Sequence, residues 1–354
     1  QEGGYRTAFF GKWHLMPIYD AWTAQQTQQA HAEHTPQRHG FDVNIGGREW
    51  GQPKGRGLYF SPFDMPGLES AEEGEYLTDR LTDEAVKWLE SSATPTNEPA
   101  TSDAKPFFLY LSYYSVHAPV MARAEDAEHF RAKMEELEPG ADKPRDGKAA
   151  EYAAMHRSVD QSVGRVIAAL ERLGVADNTV IVFTGDNGGD RHWACGGLRG
   201  RKGLAFEGGV REPTCVVWPG RVKQGSQCDH PIIGMDFYPT FLEMAGLESR
   251  PDEHRDGRSL VSLLEGGDLD RDTLYWHYPH YHRTTPYGAV RHRDLKLIEF
   301  YEDGELMLFD LAVDPQERSN LAAERPAQAQ ELLTMLRRWR EEVGAQMPVA
   351  ADRS

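Results

Sequence analysis

Apolar residues recur along this chain in two periods, and the change between them divides it. Over residues 149–173, Met155, Val159, Val163, Val166, Leu170 and Leu173 follow the three-four spacing of an amphipathic helix, with Gly174 placed to cap it. Residues 76–90 repeat the pattern, with Leu77, Leu81, Ala85, Trp88 and Leu89 on one face. Short apolar runs predict strands at 7–10, 107–111, 180–183 and 214–218, with 107–111 and 180–183 read as buried, and a short helix at 237–245. Helices alternating with such strands predict an α/β domain with a largely parallel sheet. After about residue 250 the character changes. Strands at 273–278, 288–291, 296–301 and 305–311 are closely connected, and a helix at 327–343 sets Leu332, Leu333, Leu336, Trp339 and Val343 on one side. A small antiparallel sheet packed with a terminal helix is expected there, dividing the chain into 1–250 and 251–354.

The stretches without period are polar. Residues 20–57 read as a long loop, in which His31, His34 and His39 lack ligand spacing and are read as solvated. Residues 91–103 and 138–148 are further loops rich in Pro, Ser, Asn, Asp or Gly. No apolar stretch is long enough to cross a bilayer. The net charge of −17 excludes general nucleic-acid binding and repels anionic polymers at long range. An anionic substrate would therefore need a local basic cluster, and Arg191, Arg199, Arg201, Lys202 and Arg211 form one in the sequence. The three cysteines, Cys195, Cys215 and Cys228, fit neither a zinc site nor a disulfide framework, and Cys215 reads as a core residue.

Candidate chemistry follows the strands. The 180–183 run ends in Thr184-Gly185-Asp186-Asn187-Gly188-Gly189, a carboxylate and an amide oxygen side by side between glycines. Hard oxygen donors at a strand end suit Ca²⁺ or Mg²⁺ better than zinc. A tight Asp-Asn-Gly turn is the alternative. Lys12 and His14 follow the first strand, His117 follows the second, and Lys202 lies in the basic loop. Two lysines, two histidines and a divalent metal would make a cradle for a tetrahedral oxyanion, the cations neutralising charge and an imidazole protonating a leaving oxygen. Singly, each residue has a structural alternative: His14 as a core histidine, His117 as a loop-ordering residue, Lys202 as a surface charge.

Several blocks together resemble the sulfatase family. Gly4-Tyr5-Arg6-Thr7-Ala8-Phe9-Phe10-Gly11-Lys12-Trp13-His14-Leu15 is similar to that family's second signature. The run 107–119, ending in His117-Ala118-Pro119, resembles its histidine-proline loop, and 180–189 its metal-binding strand end. Leu198-Arg199-Gly200-Arg201-Lys202-Gly203 with Glu207-Gly208-Gly209-Val210-Arg211-Glu212-Pro213, then 236–240, 256–260, 308–311 and 314–317, continue the match in order over nearly the whole chain. The resemblance implies an alkaline-phosphatase-like α/β core, a mostly parallel sheet between helices, with a C-terminal antiparallel subdomain. It implies hydrolysis of sulfate esters with Ca²⁺, Mg²⁺ being the lesser choice. Asp186 and Asn187 would be metal ligands. Lys12 and His14 would hold the nucleophile and a sulfate oxygen, while His117 and Lys202 would contact the sulfate near its leaving oxygen. Arg211 would support its loop.

Family members also carry a paired-Asp metal motif and a Cys/Ser-x-Pro-x-Arg motif ahead of the first block, whose Cys or Ser becomes the nucleophilic formylglycine. The nearest pattern here, Cys195-Gly196-Gly197-Leu198-Arg199, lacks the proline. The expectation is a sulfatase whose N-terminal segment, with that formylglycine and further metal ligands, lies outside these residues. The chain alone would then be inactive, and the whole protein periplasmic or secreted by resemblance. Two alternatives stand: a chain that binds sulfated ligands without catalysis, and a phosphomonoester or phosphodiester hydrolase of the same fold. The expected substrate is a sulfated glycan before an aryl sulfate. The aromatic and histidine-rich stretch 275–282 is either a sugar-stacking rim or a strand with its loop.

Overall fold

The computed structural model describes residues 1–17, 23–69, 71–93, 105–137 and 147–349. Most of the expected loops at 91–103 and 138–148 lies outside the described residues. The chain divides into two compact units, Gln1–Thr179 and Val180–Ser354. The change of character near residue 250 falls inside the second.

The first unit is built on a three-stranded parallel sheet of order β2-β1-β3, with β1 Arg6–Gly11, β2 Val43–Ile45 and β3 Phe107–Ser112. β1 is central because it is apolar on both faces: Ala8, Phe9 and Phe10 are all buried. Ala8 and Phe10 pack on Ala85 of α2 (Leu77–Ser92). Phe9 turns the other way and meets the rings of Trp13, Phe41 and Tyr110. Thr7 and Asp42 clamp β1 to the entry of β2 through reciprocal bonds, Thr7 N–H to the Asp42 carboxylate at 2.9 Å and Asp42 N–H to Thr7 Oγ1 at 2.9 Å.

Three expectations change here. The strand at 107–111 is not buried: β3 is half-buried, with Tyr110 50% exposed. The polar stretch from residue 20 is not all loop: α1, Ala24–Glu33, starts at a Thr23/Gln26 capping box, a local signal that needs no apolar periodicity. Nor is the most buried stripe of α4 (Ala149–Arg172) its valine face. Ala154, Met155, Ser158, Ser162 and Ala169 are buried, whereas Val159, Val163 and Val166 are half-buried. Small side chains allow α4 to lie close against α2 and α3 (Ala124–Leu137). α2 itself buries Leu77, Leu81, Ala85 and Leu89 as its spacing predicts.

In the second unit, β4 (Ile181–Thr184) and β5 (Thr214–Val217) pair antiparallel as a two-stranded ribbon, so among the described residues parallel pairing is confined to the first unit. The 180–183 run is not buried: Phe183 is 42% and Val217 46% exposed, and Cys215 is exposed rather than a core residue. A two-stranded ribbon covers little of its own side-chain surface. After α5 (Glu207–Val210), α6 (Phe237–Met244) and α7 (Val261–Leu264) comes an antiparallel sheet of order β6-β7-β8-β9. Its strands are Thr273–Tyr278, Tyr287–His292, Leu295–Phe300 and Leu306–Asp310. One face, with Val290, Leu297 and Leu308, packs on Leu332, Leu333 and Leu336 of α8 (Pro326–Glu342). The other, with Ala289, Ile298 and Phe309, packs on Ala205 and Phe206 just ahead of α5. The architecture is mixed α/β, with a parallel sheet first and an antiparallel sheet with its helix last.

Candidate active site

Lys12, His14 and His117 leave the same edge of the parallel sheet. β1 and β3 pair to their last residues, Gly11 against Ser112, and Lys12 N–H continues the ladder to Ser112 O at 2.7 Å. Gly11 sits at φ +101°, and a side chain there would collide with the Ser112 carbonyl, so only glycine lets the strands end so close. The chain then bends at His14, whose φ of +56° is uncommon for a residue with a side chain. Its N–H bonds Arg48 O at 3.0 Å, and its ring lies over Gly51, where a Cβ would come within 2.5 Å of Cε1. His14 is exposed, not a core histidine. The anchor beside it is Trp13, whose Nε1 donates to His34 O at 2.7 Å.

His117 is held from the backbone side. Tyr59, fully buried, shares its hydroxyl proton between Tyr114 O at 2.7 Å and His117 O at 2.8 Å. Burial pushes that phenol well above its ordinary pKa, so it stays a donor. His117 Nδ1 lies 2.9 Å from the Ala118 carbonyl, which can only accept. That contact places the proton of a neutral ring on Nδ1 and leaves Nε2 as the basic nitrogen.

The second unit brings Asp186, Asn187 and Lys202 together. Lys202 N–H bonds Gly189 O at 2.9 Å, and Gly188 N–H bonds Gly209 O at 3.1 Å. The glycines here serve close approach rather than a reversed φ. A Cβ on Gly188 would strike the Gly208 carbonyl, and one on Gly208 would lie 2.6 Å from Arg199 O. Asp186 is exposed and Asn187 half-buried at the end of β4. Glu212 faces them across Gly185, so close that a side chain at Gly185 would overlap its carboxylate. Burial, and then the Asp186 charge, push the Glu212 carboxyl up to about 7. The sequence singled out Asp186 and Asn187 as ligands but gave Glu212 no role beyond its place in the block 207–213.

Hard oxygens with a neighbouring carboxylate fit Ca²⁺ or Mg²⁺, not a thiolate-seeking metal. Among the described residues no group of three or more His, Cys, Asp or Glu side chains is arranged to hold a metal ion. Asp186 and Asn187 would thus fill only part of a Ca²⁺ shell of about six to eight oxygens.

The basic cluster read from the sequence divides. Arg199 stacks 4.1 Å over the Phe206 ring and donates to Glu317 O at 2.8 Å, so it braces the fold. Arg201 reaches Asp190 O at 3.4 Å. Below the loop lies a buried ionic group that no periodicity announced: Lys296 Nζ pairs with Glu207 Oε1 at 2.8 Å and Glu317 Oε1 at 3.0 Å. Glu317 Oε2 also accepts Glu207 N–H at 2.6 Å. Burial raises the Glu317 carboxyl despite Lys296.

Comparison with known proteins agrees with the motif pattern. The family model described as Sulfatase matches residues 1–247, and that for the N-sulphoglucosamine sulphohydrolase C-terminal region matches 201–345. A protein named Sulfatase from Formosa agariphila is 30% identical over 93% of this chain and 65% of its own length. The N-acetylgalactosamine-6-sulfatase of Mus musculus is 30% identical over 78% of the chain and 50% of itself. The N-acetylglucosamine-6-O-sulfatase of Bacteroides thetaiotaomicron is 34% identical over 52% of the chain and 34% of itself. The crystal structure of Ps i-CgsB in complex with k-i-k-neocarrahexaose superimposes with a TM-score of 0.74 at 27% identity, over 96% of this chain and 72% of that one. The chain thus spans less than two thirds of the first curated relatives it matches, at 65% and 64% of their lengths.

Proposed function

The chain belongs to the sulfatase family, and on that premise we propose that the protein hydrolyses sulfate esters carried on carbohydrate. The observation that carries this is the Lys202 N–H···O Gly189 bond, which fastens a cationic loop to the Asp186-Asn187 turn. The carbohydrate class is supported by the relatives, named for N-acetylgalactosamine and N-acetylglucosamine sulfates, and by the structural neighbour crystallised with neocarrahexaose.

Each residue has a role its chemistry allows. Lys12 and Lys202 are point charges that neutralise sulfuryl oxygens as negative charge builds on them. His14 hydrogen-bonds the nucleophile or a sulfuryl oxygen. His117, with its Nδ1 proton on a carbonyl, can take up a proton at Nε2 and return it to the leaving oxygen. Asp186 and Asn187 would hold Ca²⁺, which when bound adds Lewis-acid stabilisation to an equatorial oxygen. The nucleophile of the proposed reaction is a formylglycine hydrate, which no Cys/Ser-x-Pro-x-Arg run within these residues supplies.

The test uses the full-length protein and an aryl sulfate. Lys202→Ala should lower turnover at least about a hundredfold while the unfolding midpoint stays put. Asp186→Ala should remove stoichiometric Ca²⁺ as measured by elemental analysis. Near-normal turnover in the first, or unchanged metal content in the second, removes that residue from the site. An aryl phosphate turned over in preference to the aryl sulfate would replace the ester class.

A further inference from the structure

We propose that the loop joining β6 to β7 is the wall that selects a sugar ring, with Tyr281 as its stacking platform; this rests on the sulfatase reading above. The loop is seated directly on the candidate site. A Cβ on Gly203 would lie 2.9 Å from His282 Nδ1 and 3.2 Å from Arg283 Cδ, so His282 and Arg283 press against the residue next to Lys202. Arg283 also pairs with Asp190, one residue beyond the Gly189 carbonyl that holds Lys202. Position relative to the sulfate-binding lysine is thereby set from two sides.

Tyr281 is a large ring left 68% exposed, yet it is not loose. Its hydroxyl donates to Glu302 Oε1 at 2.6 Å, which fixes the ring on its solvent side. Behind it, Tyr278 sets the loop: its ring meets His280 edge-on at 5.4 Å and stacks on buried Tyr287 at 5.4 Å. An exposed aromatic face held in advance loses little entropy when a ligand covers it.

The charge balance of the wall decides what it takes. Arg283 is held on Asp190, a carboxylate that Arg191 shares at 4.0 Å, and Tyr281 is tied to the Glu302 carboxylate, so the ring has a carboxylate and not a cation bound beside it. What remains is an exposed ring face on a loop that also carries the exposed imidazoles of His280 and His282, both set against Tyr278. That suits an uncharged, hydroxylated pyranose, its C–H face on Tyr281 and its hydroxyls on imidazole nitrogens. It does not suit a second anionic group. The sulfate ester is left to Lys202, and the sugar bearing it to the wall.

The experiment compares two substrates of the full-length protein, N-acetylglucosamine 6-sulfate and 4-nitrophenyl sulfate. Tyr281→Ala should raise KM for the sugar sulfate about tenfold with kcat held, and Tyr281→Phe should keep most of the affinity because the ring remains. Both variants should stay within about twofold of wild type on the aryl sulfate, whose small ester needs no wall. Calorimetric titration with the sugar sulfate provides the same comparison as affinities, independent of turnover. Unchanged sugar affinity in Tyr281→Ala, or an equal loss on both substrates, overturns the wall. So does a preference for a disulfated sugar that disappears in His282→Ala, which would make the loop an anion site. A wild-type protein that cleaves neither sulfate overturns the hydrolytic function, while the titration still tests the loop.

Discussion

At the scale of single residues, the candidate site depends as much on missing side chains as on present ones. Gly188 lies against the Gly208 carbonyl at the point where the metal-type turn meets the lysine loop. Gly188→Ala should therefore lower Ca²⁺ affinity and activity together, read by calorimetry and turnover. By contrast, Gly164 on α4 has open space and an ordinary φ. Gly164→Ala should stabilise the protein by about 0.5–1 kcal/mol in urea unfolding. Glu212 provides a pH test of the same turn. Its carboxyl is raised from 4.5 to about 7, so the folded state binds the extra proton between those values. Stability of chelator-treated protein should then fall as pH rises through that window, and Glu212→Gln should flatten the fall. A slope unchanged in Glu212→Gln would assign it to other groups.

At the scale of elements, the helices are predicted best where burial is one-sided. α2 and α8 follow their apolar spacing because each packs one face on a neighbour, whereas the C-terminal sheet is covered on both faces. The sequence predicts less where packing depends on size or on partners distant in the chain. α4 buries alanines and serines because closeness to other helices outweighs hydrophobicity, and β4 carries Phe183 exposed despite its β-branched composition. What the motif blocks made legible is placement: Lys12, His14 and His117 follow the ends of β1 and β3, and Asp186, Asn187 and Lys202 lie in loops joined by the Lys202 N–H to Gly189 bond. The roles of Glu212, Arg283 and the lysine of β8 were not legible, because their partners lie far along the chain. Lys296 is fully buried in the run Leu-Lys-Leu-Ile-Glu-Phe, facing Glu207 and Glu317 on the Ala205 side. Glu299, on the opposite face, pairs with Arg337 and Arg340 of α8. Lys296→Met should cost about 3–5 kcal/mol by stranding the buried Glu317 carboxylate and leaving Glu207 to Arg291, 3.8 Å away. Adding Glu207→Gln and Glu317→Gln should recover much of that loss in the same unfolding assay.

At the scale of the molecule, a chain of net charge −17 is proposed to act on anionic substrates. Its long-range field opposes a polyanion while local lysines attract the ester, and salt screens the first more than the second. Raising ionic strength from about 0.01 to 0.15 M, which shortens the screening length from about 30 to 8 Å, should thus lower KM for a sulfated polymer relative to a sulfated monosaccharide. A parallel response of the two substrates would refute the long-range term. The Lys296 group has a different consequence, one for descent. Its members stand at 207, 291, 296 and 317, so a recombination between relatives that breaks the chain within that interval can unite a lysine with foreign partners. Where the incoming segment lacks the matching charge, the offspring would inherit a buried group without its partner. A chimera keeps the group intact only by taking 207–317 from one parent or by matching its charges.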